Sequence, residues 1–174
     1  MKVWTLDELH SLPDDRNKYE LVHGELFVTP APTVDHETII ARLARLLDPY
    51  VAANDLGYVF RPRAVVQHAG SEVEPDLMVR QAPAPRSRWD EAPVPILVVE
   101  TLSPSTRRRD RHQKRDFYLE VGVEEYWIVD PDARAITSIR AGRQDVTTST
   151  SLGWQATGVA TPLVVDLAEV FGSS

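Results

Sequence analysis

Two acidic residues stand in or at the end of apolar, β-branched runs of this 174-residue chain, where the pattern predicts buried strands. Asp76 lies within residues 73–79, and Glu100 lies near the end of residues 96–102. Burying a carboxylate is costly unless a cation or hydrogen-bond donors satisfy it. Two strands that bring such carboxylates together predict a divalent-metal site. The simpler interpretation is that each acid lies at a strand end in water or pairs with an arginine.

A basic helix is predicted directly after Glu100. Residues 103–106 are typical of a turn and a helix N-cap, and Gly122 is a typical C-terminal stop. At helical spacing Asp110, Lys114 and Tyr118 share one face, so the Lys114 side chain can point back toward the strand ends.

Positive charge is concentrated in this helix, since six of the 19 Lys and Arg residues fall between positions 107 and 115 of a chain whose net charge is −7. A charge run is usually a solvated helix face, and that remains the simpler interpretation of Arg108 and Arg111. Beside a metal site, however, a basic helix also suits phosphate binding.

These residues belong to a set of motifs that occur in one order along the chain. They are Tyr19-Glu20-Leu21-Val22-His23-Gly24-Glu25-Leu26, Pro75-Asp76-Leu77, Val99-Glu100-Thr101-Leu102-Ser103-Pro104-Ser105-Thr106, Asp110 with Lys114 and Tyr118, and Gly122-Val123-Glu124-Glu125-Tyr126-Trp127-Ile128-Val129-Asp130-Pro131. The set resembles the Uma-two family of restriction endonucleases, a branch of the PD-(D/E)XK nuclease superfamily, and the resemblance extends to residues 164–171. It implies an α/β fold: a restriction-endonuclease-like core with an α+β mixed sheet and flanking helices.

The resemblance also implies a magnesium-dependent phosphodiesterase site, in which manganese can substitute. Asp76, Glu100 and the Thr101 carbonyl would supply the oxygen ligands that magnesium prefers. Lys114 would orient the nucleophile or stabilise charge on the phosphorane. Glu20 would lie near the site, although its alternating strand predicts a solvent-facing side chain as readily.

One departure from the superfamily pattern concerns the lysine that usually follows the second acid by two residues. Leu102 stands at that place here. In the family that the chain resembles, the lysine has moved to the following helix, and Lys114 occupies the matching position.

DNA is the predicted substrate, with contacts from Arg107, Arg108, Arg109, His36 and Tyr118. His36 opens a long helix, where an exposed polar residue is the simpler interpretation, and its matching place in the family indicates a role at the edge of the site. Tyr118 is most simply a packed ring with a hydrogen-bonded hydroxyl.

The bulk properties are those of an ordinary globular chain with 43% hydrophobic residues, interpreted as one domain over residues 1–174. The absence of cysteine excludes disulfides and thiolate zinc sites, and without an apolar run of membrane-spanning length the cytoplasm is the expected location. The acidic balance argues against avid nonspecific binding to nucleic acid. A homodimer is the common solution for enzymes that cut both strands of a duplex.

Two other classes of protein remain open. One is a binding or assembly protein that keeps the nuclease fold without turnover, which the acidic charge and the missing lysine favour. The other is a structural domain whose acids pair with Arg61, Arg63 or the basic helix.

The predicted elements place the site residues on a framework. Residues 96–101, 106–120 and 125–129 should form a βαβ unit with a right-handed crossover, and residues 81–95 an exposed loop. The other predicted elements are helices at 5–12 and 34–53, strands at 19–22, 25–29, 58–61, 64–67 and 73–79, and short strands after residue 135 with a final turn at 167–171.

Overall fold

The structure is a computed structural model that describes residues 2–103 and 110–172. Its helices are α1 (Leu6–His10), α2 (Val34–Ala53), α3 (Arg115–Val121) and α4 (Leu167–Phe171), with a 3₁₀ turn at Trp89–Glu91 and a π turn at Asp110–Lys114. Its strands are β1 (Lys18–Val22), β2 (Glu25–Thr29), β3 (Tyr58–Phe60), β4 (Val66–His68), β5 (Ser71–Val73), β6 (Leu77–Arg80), β7 (Leu97–Thr101), β8 (Glu125–Asp130), β9 (Ala135–Ile139), β10 (Val146–Thr148), β11 (Ser151–Trp154) and β12 (Leu163–Asp166).

A six-stranded sheet with the order β10-β9-β8-β7-β6-β3 forms the centre of the fold. Its only parallel pair among the described strands is β7 with β8, as the predicted βαβ unit requires, and the other neighbours are antiparallel. A second sheet has the order β2-β1-β5-β4, and β11 pairs with β12. The predicted mixed sheet with flanking helices is therefore confirmed.

Each face of the six-stranded sheet is covered by its own apolar cluster, because successive strand residues point to opposite faces. Leu77 and Val79 pack with the buried stripe of α2, whereas Met78 packs with Phe117 of α3 and with residues of the four-stranded sheet, among them Val73. The sheet therefore lies between α2 on one side and α3 with the smaller sheet on the other.

The long amphipathic helix has the bounds that the sequence predicts. Its buried face is Ile39, Ile40, Leu43, Ala44, Leu47 and Val51, at the spacing of an amphipathic helix. Thr33 is the N-cap, and its side chain accepts a hydrogen bond from the His36 backbone N–H. This cap fixes the start of α2, and with it the position of His36.

The prediction of one strand over residues 73–79 is wrong. The chain instead leaves the smaller sheet at the end of β5 and enters the larger one at the start of β6, with residues 74–76 as the link. Pro75 has no backbone N–H to donate to a ladder, which favours a break here. As a result Asp76 lies directly before β6, at the junction of the two sheets.

The predicted helix at 106–120 is observed from residue 110 as the π turn followed by α3, and residues 104–109 lie outside the described part of the chain. The handedness of the crossover between β7 and β8 stays a prediction. No helix in the described ranges combines the length and the apolar character needed to cross a membrane.

Candidate active site

The ends of β6 and β7 bring Asp76 and Glu100 together. The strands are antiparallel with Leu77 opposite Val99, so the residue before β6 lies beside the residue after Val99. The Thr101 backbone N–H donates a hydrogen bond of 2.8 Å to Asp76 Oδ2. Asp76 is 6% exposed and Glu100 is 2% exposed, so both carboxylates are buried charges that need partners.

Lys114 is the cation that satisfies Glu100. Its Nζ lies 2.7 Å from Glu100 Oε1 and 2.8 Å from Glu20 Oε1, and the lysine is fully buried. Glu20 is also fully buried and accepts a hydrogen bond of 3.1 Å from the Glu74 N–H, which ties β1 to the link before Asp76. Two carboxylates from different sheets thus share one ammonium, and Glu20 faces the site and not the solvent.

Tyr118 supports Glu100 from α3. Its hydroxyl donates a hydrogen bond of 2.7 Å to Glu100 Oε1, and its ring is fully buried. Burial and then the charge of Glu100 raise the pKa of Tyr118 well above its usual range, so the hydroxyl stays a donor. The simpler interpretation of Tyr118, a packed ring with a hydrogen-bonded hydroxyl, describes these contacts, and its predicted contact with substrate stays a prediction.

His36 contacts Asp76 from the first turn of α2. His36 Nε2 lies 3.1 Å from Asp76 Oδ2, and its side chain is 15% exposed, so the interpretation as an exposed helix-end residue is wrong. Burial alone would lower the pKa of His36, but the hydrogen bond and charge of Asp76 outweigh it and raise that pKa. The histidine lies beside Asp76 and lines the cleft, and its predicted role at the edge of the site stays a prediction.

Lys18 is a member of the site that the sequence analysis missed. Its Nζ donates a hydrogen bond of 3.0 Å to the Glu74 carbonyl and lies 3.4 Å from Asp76 Oδ1 and 3.9 Å from Glu20 Oε1. Burial alone would lower the pKa of Lys18, but the charges of Glu20, Asp76 and Glu100 raise it. The signal was the alternation of β1, which places Lys18 and Glu20 on one face.

The charges of this group control the ionisation of Asp76. Burial by itself would raise the pKa of Asp76, but the charges of Lys18 and His36 and the hydrogen bond from His36 outweigh it, with a smaller effect from Lys114. The pKa of Asp76 therefore lies well below its usual range, and the side chain is a carboxylate at neutral pH.

A cleft of about 1180 Å³ opens onto this group. It is walled by the α1–β1 connection, the loop between β2 and α2, the β3–β4 connection and the turn after β8, and Lys18, His36, Asp76, Glu100 and Thr101 line it. The carboxylates are therefore nearly buried and yet reachable by a ligand that enters the cleft.

The donor set suits a hard divalent cation, because carboxylate and carbonyl oxygens are the ligands that magnesium prefers. Thr101 Oγ1 is in addition a buried polar atom with no hydrogen-bond partner in the part of the chain that the structure describes. Across residues 2–103 and 110–172, no three His, Asp or Glu side chains already form a metal-ligating group. The chemistry of the site thus fits the ion, while ammonium groups hold its carboxylates.

None of the described arginines that the sequence analysis names as partners of the acids pairs with Asp76 or Glu100. Arg107, Arg108 and Arg109 lie outside the described residues. Arg61 pairs with Asp48 at 2.8 Å and Arg63 pairs with Asp14 at 3.2 Å, so neither compensates Asp76 or Glu100. Among the described residues of the basic helix, Lys114 pairs with Glu100, as the structural alternative proposes for one of the two acids.

The fold is shared with a protein of solved structure. A crystal structure from Anabaena variabilis, described as "a putative nuclease belonging to DUF820", matches with a TM-score of 0.77 and 19% sequence identity. The match covers 96% of this chain and 97% of that one. At this identity the likeness concerns the fold alone.

The family follows from the sequence itself. The family model Uma2, described as "Putative restriction endonuclease", matches residues 6–168. The chain therefore belongs to the Uma2 family. No curated protein is a significant match to it.

Proposed function

We propose that this protein is a metal-dependent nuclease that hydrolyses phosphodiester bonds of DNA. The observation that carries the proposal is the group at the bottom of the cleft, where Asp76 and Glu100 meet and Lys114 is held between Glu100 and Glu20. Family membership supports the same class of reaction.

The roles of the residues follow from their contacts. Asp76, Glu100 and the Thr101 carbonyl are the groups that would hold magnesium, which when bound polarises a phosphate oxygen and makes hydroxide available near neutral pH. Lys114 places a fixed positive charge beside Glu100, and this buried charge would stabilise, without touching the substrate, negative charge that develops on the phosphoryl group.

Hydrogen bonds keep the two acids in place for this chemistry. Tyr118 holds Glu100 through its hydroxyl, and His36 with the Thr101 N–H holds one oxygen of Asp76. Such preorganisation lowers the cost of reorganising the site during the reaction.

The charge of the cleft wall indicates where DNA binding must come from. Among the residues that the structure describes, the cleft is lined by nine acidic side chains and by four basic ones, which are Arg16, Lys18, Arg61 and Arg63. A wall with this balance repels phosphates. Attraction for the DNA backbone must therefore come from the bound ion and from other basic residues, for which Arg107, Arg108 and Arg109 are the candidates from the sequence.

Replacing Arg107, Arg108 and Arg109 together by alanine should weaken DNA binding and flatten its salt dependence. Each lost phosphate contact removes a slope of about 0.7–0.9 from the plot of log affinity against log salt, so the triple variant should lose roughly 2–3. Fluorescence anisotropy with a labelled duplex over a range of salt concentrations measures this. A variant with Arg45, Arg86 and Arg143 changed to alanine removes the same charge from exposed positions outside the cleft and is the matched control.

The reaction itself is tested on supercoiled plasmid, a single-stranded oligonucleotide and an RNA of the same sequence. With magnesium or manganese the purified protein should nick or cut the DNA, and a chelator should stop it. Glu100→Gln keeps the size of the side chain and removes its charge, so it should lower the rate by at least about 100-fold. Salt-dependent DNA binding without any cleavage would instead favour the binding or assembly protein.

A further inference from the structure

The Lys18 ammonium lies beside the Asp76 carboxylate, which the proposed divalent ion would also bind. Lys18 Nζ lies 3.4 Å from Asp76 Oδ1, and His36 and the Thr101 N–H take the other oxygen of the same carboxylate. Both oxygen atoms of Asp76 are therefore engaged. A metal ion that binds Asp76 Oδ1 must come close to the Lys18 ammonium, and the two positive charges repel each other.

Of the two lysines that contact the buried carboxylates, Lys18 is held less firmly than Lys114. Lys114 is fully buried and lies 2.7 and 2.8 Å from its two carboxylate oxygens, whereas Lys18 lies 3.4 and 3.9 Å from its own and makes its shortest contact, 3.0 Å, with the uncharged Glu74 carbonyl. The Lys18 side chain is also 19% exposed and lines the cleft. Its flexible four-carbon stem allows the ammonium to turn toward the cleft while the backbone stays in β1.

We propose that Lys18 is an internal competitor of the divalent ion, whose ammonium holds the Asp76 carboxylate in the metal-free protein and leaves it when the ion binds. The inference rests on the proposed metal-dependent function and deepens it. A single positive charge close to the carboxylates compensates part of the repulsion among Glu20, Asp76 and Glu100. The same charge repels a second cation at that place. Lys18 thus stabilises the three carboxylates when no ion is bound and weakens their affinity for metal.

If Lys18 competes with the ion, removing its charge should raise the affinity for metal. If Lys18 instead assisted metal binding, the same change should lower that affinity. Lys18→Met should bind Mn²⁺ at least about tenfold more tightly than the wild type, because an interaction that must be broken has been removed. Lys18→Arg keeps the positive charge and should remain within about threefold of the wild type. Arg63→Met removes a positive charge from the cleft wall, where Arg63 pairs with Asp14, and should likewise change little.

Isothermal titration calorimetry with Mn²⁺ on the full chain measures these affinities, and circular dichroism checks that each variant is folded. If Lys18→Met binds Mn²⁺ as weakly as the wild type or more weakly, the inference is overturned. The proposed metal site still stands in that case, provided that the wild type binds Mn²⁺ and Asp76→Asn does not. If neither the wild type nor Lys18→Met binds Mn²⁺, both the inference and the proposed function fail.

A structure of the wild-type protein with Mn²⁺ gives a second readout that needs no variant. Lys18 Nζ should lie well beyond its present 3.4 Å from Asp76 Oδ1. An ammonium that keeps this contact with the ion bound would contradict the competition, whatever the variants show.

Discussion

Asp76→Asn should abolish measurable metal binding and cleavage together. The amide keeps the size of the side chain but removes the charge that a divalent cation requires. Losing a direct ligand should cost more than the roughly 10–100-fold that loss of an outer hydrogen-bond partner costs. Calorimetry with Mn²⁺ and a plasmid cleavage assay measure the two effects on one preparation.

Asp14→Asn is the matched control, because Asp14 also lines the cleft but pairs with Arg63 at the surface. The same chemical change there should leave metal affinity within about twofold, since exposed charges are screened by water and salt. Wild-type affinity for Mn²⁺ in Asp76→Asn would contradict the assignment of Asp76 as a ligand.

Lys114→Met should destabilise the protein strongly and eliminate cleavage. It leaves the carboxylates of Glu20 and Glu100 buried without the ammonium that they share at 2.8 and 2.7 Å. Removing one partner of a buried ion pair typically costs about 3–5 kcal/mol of unfolding free energy, because an uncompensated charge remains. Urea denaturation followed by circular dichroism measures this loss.

The control for Lys114 is its neighbour in the chain. Arg115 pairs with Asp145 at 3.1 Å and its side chain is 33% exposed, so Arg115→Met should cost less than about 1 kcal/mol. Combining Lys114→Met with Glu20→Gln removes one of the two buried carboxylate charges that the lysine compensates, and should recover part of the stability. A Lys114→Met variant as stable as the Arg115 control would contradict the shared-cation description.

The sequence predicts well those features that depend on local periodicity. The bounds of α2 follow from its apolar stripe. Strand β7, which carries Glu100, and its parallel partner β8 follow from their β-branched runs. The substitution of Leu102 for the usual lysine also has a structural explanation. Leu102 is 4% exposed and packs in the apolar cluster under α3, so that position contributes to the core and the cation comes from Lys114.

Features that depend on contacts between distant segments could not be predicted. Lys18 lies 58 positions from Asp76 and His36 lies 40 positions from it, and no local pattern records either contact. The burial of His36 depends on how the start of α2 meets the junction of the two sheets. The π turn that carries Lys114 is decided by tertiary packing as well, since π turns are rare in helices and frequent at functional sites.

Anomalous diffraction from crystals of the wild-type protein soaked in Mn²⁺ tests the central claim most directly. The account predicts one strong peak at the bottom of the cleft, coordinated by carboxylate oxygens of both Asp76 and Glu100, and no such peak in Glu100→Gln crystals treated in the same way. A peak bound elsewhere, or none at this place in a soak that labels other sites, would contradict a metal centre formed by these two acids.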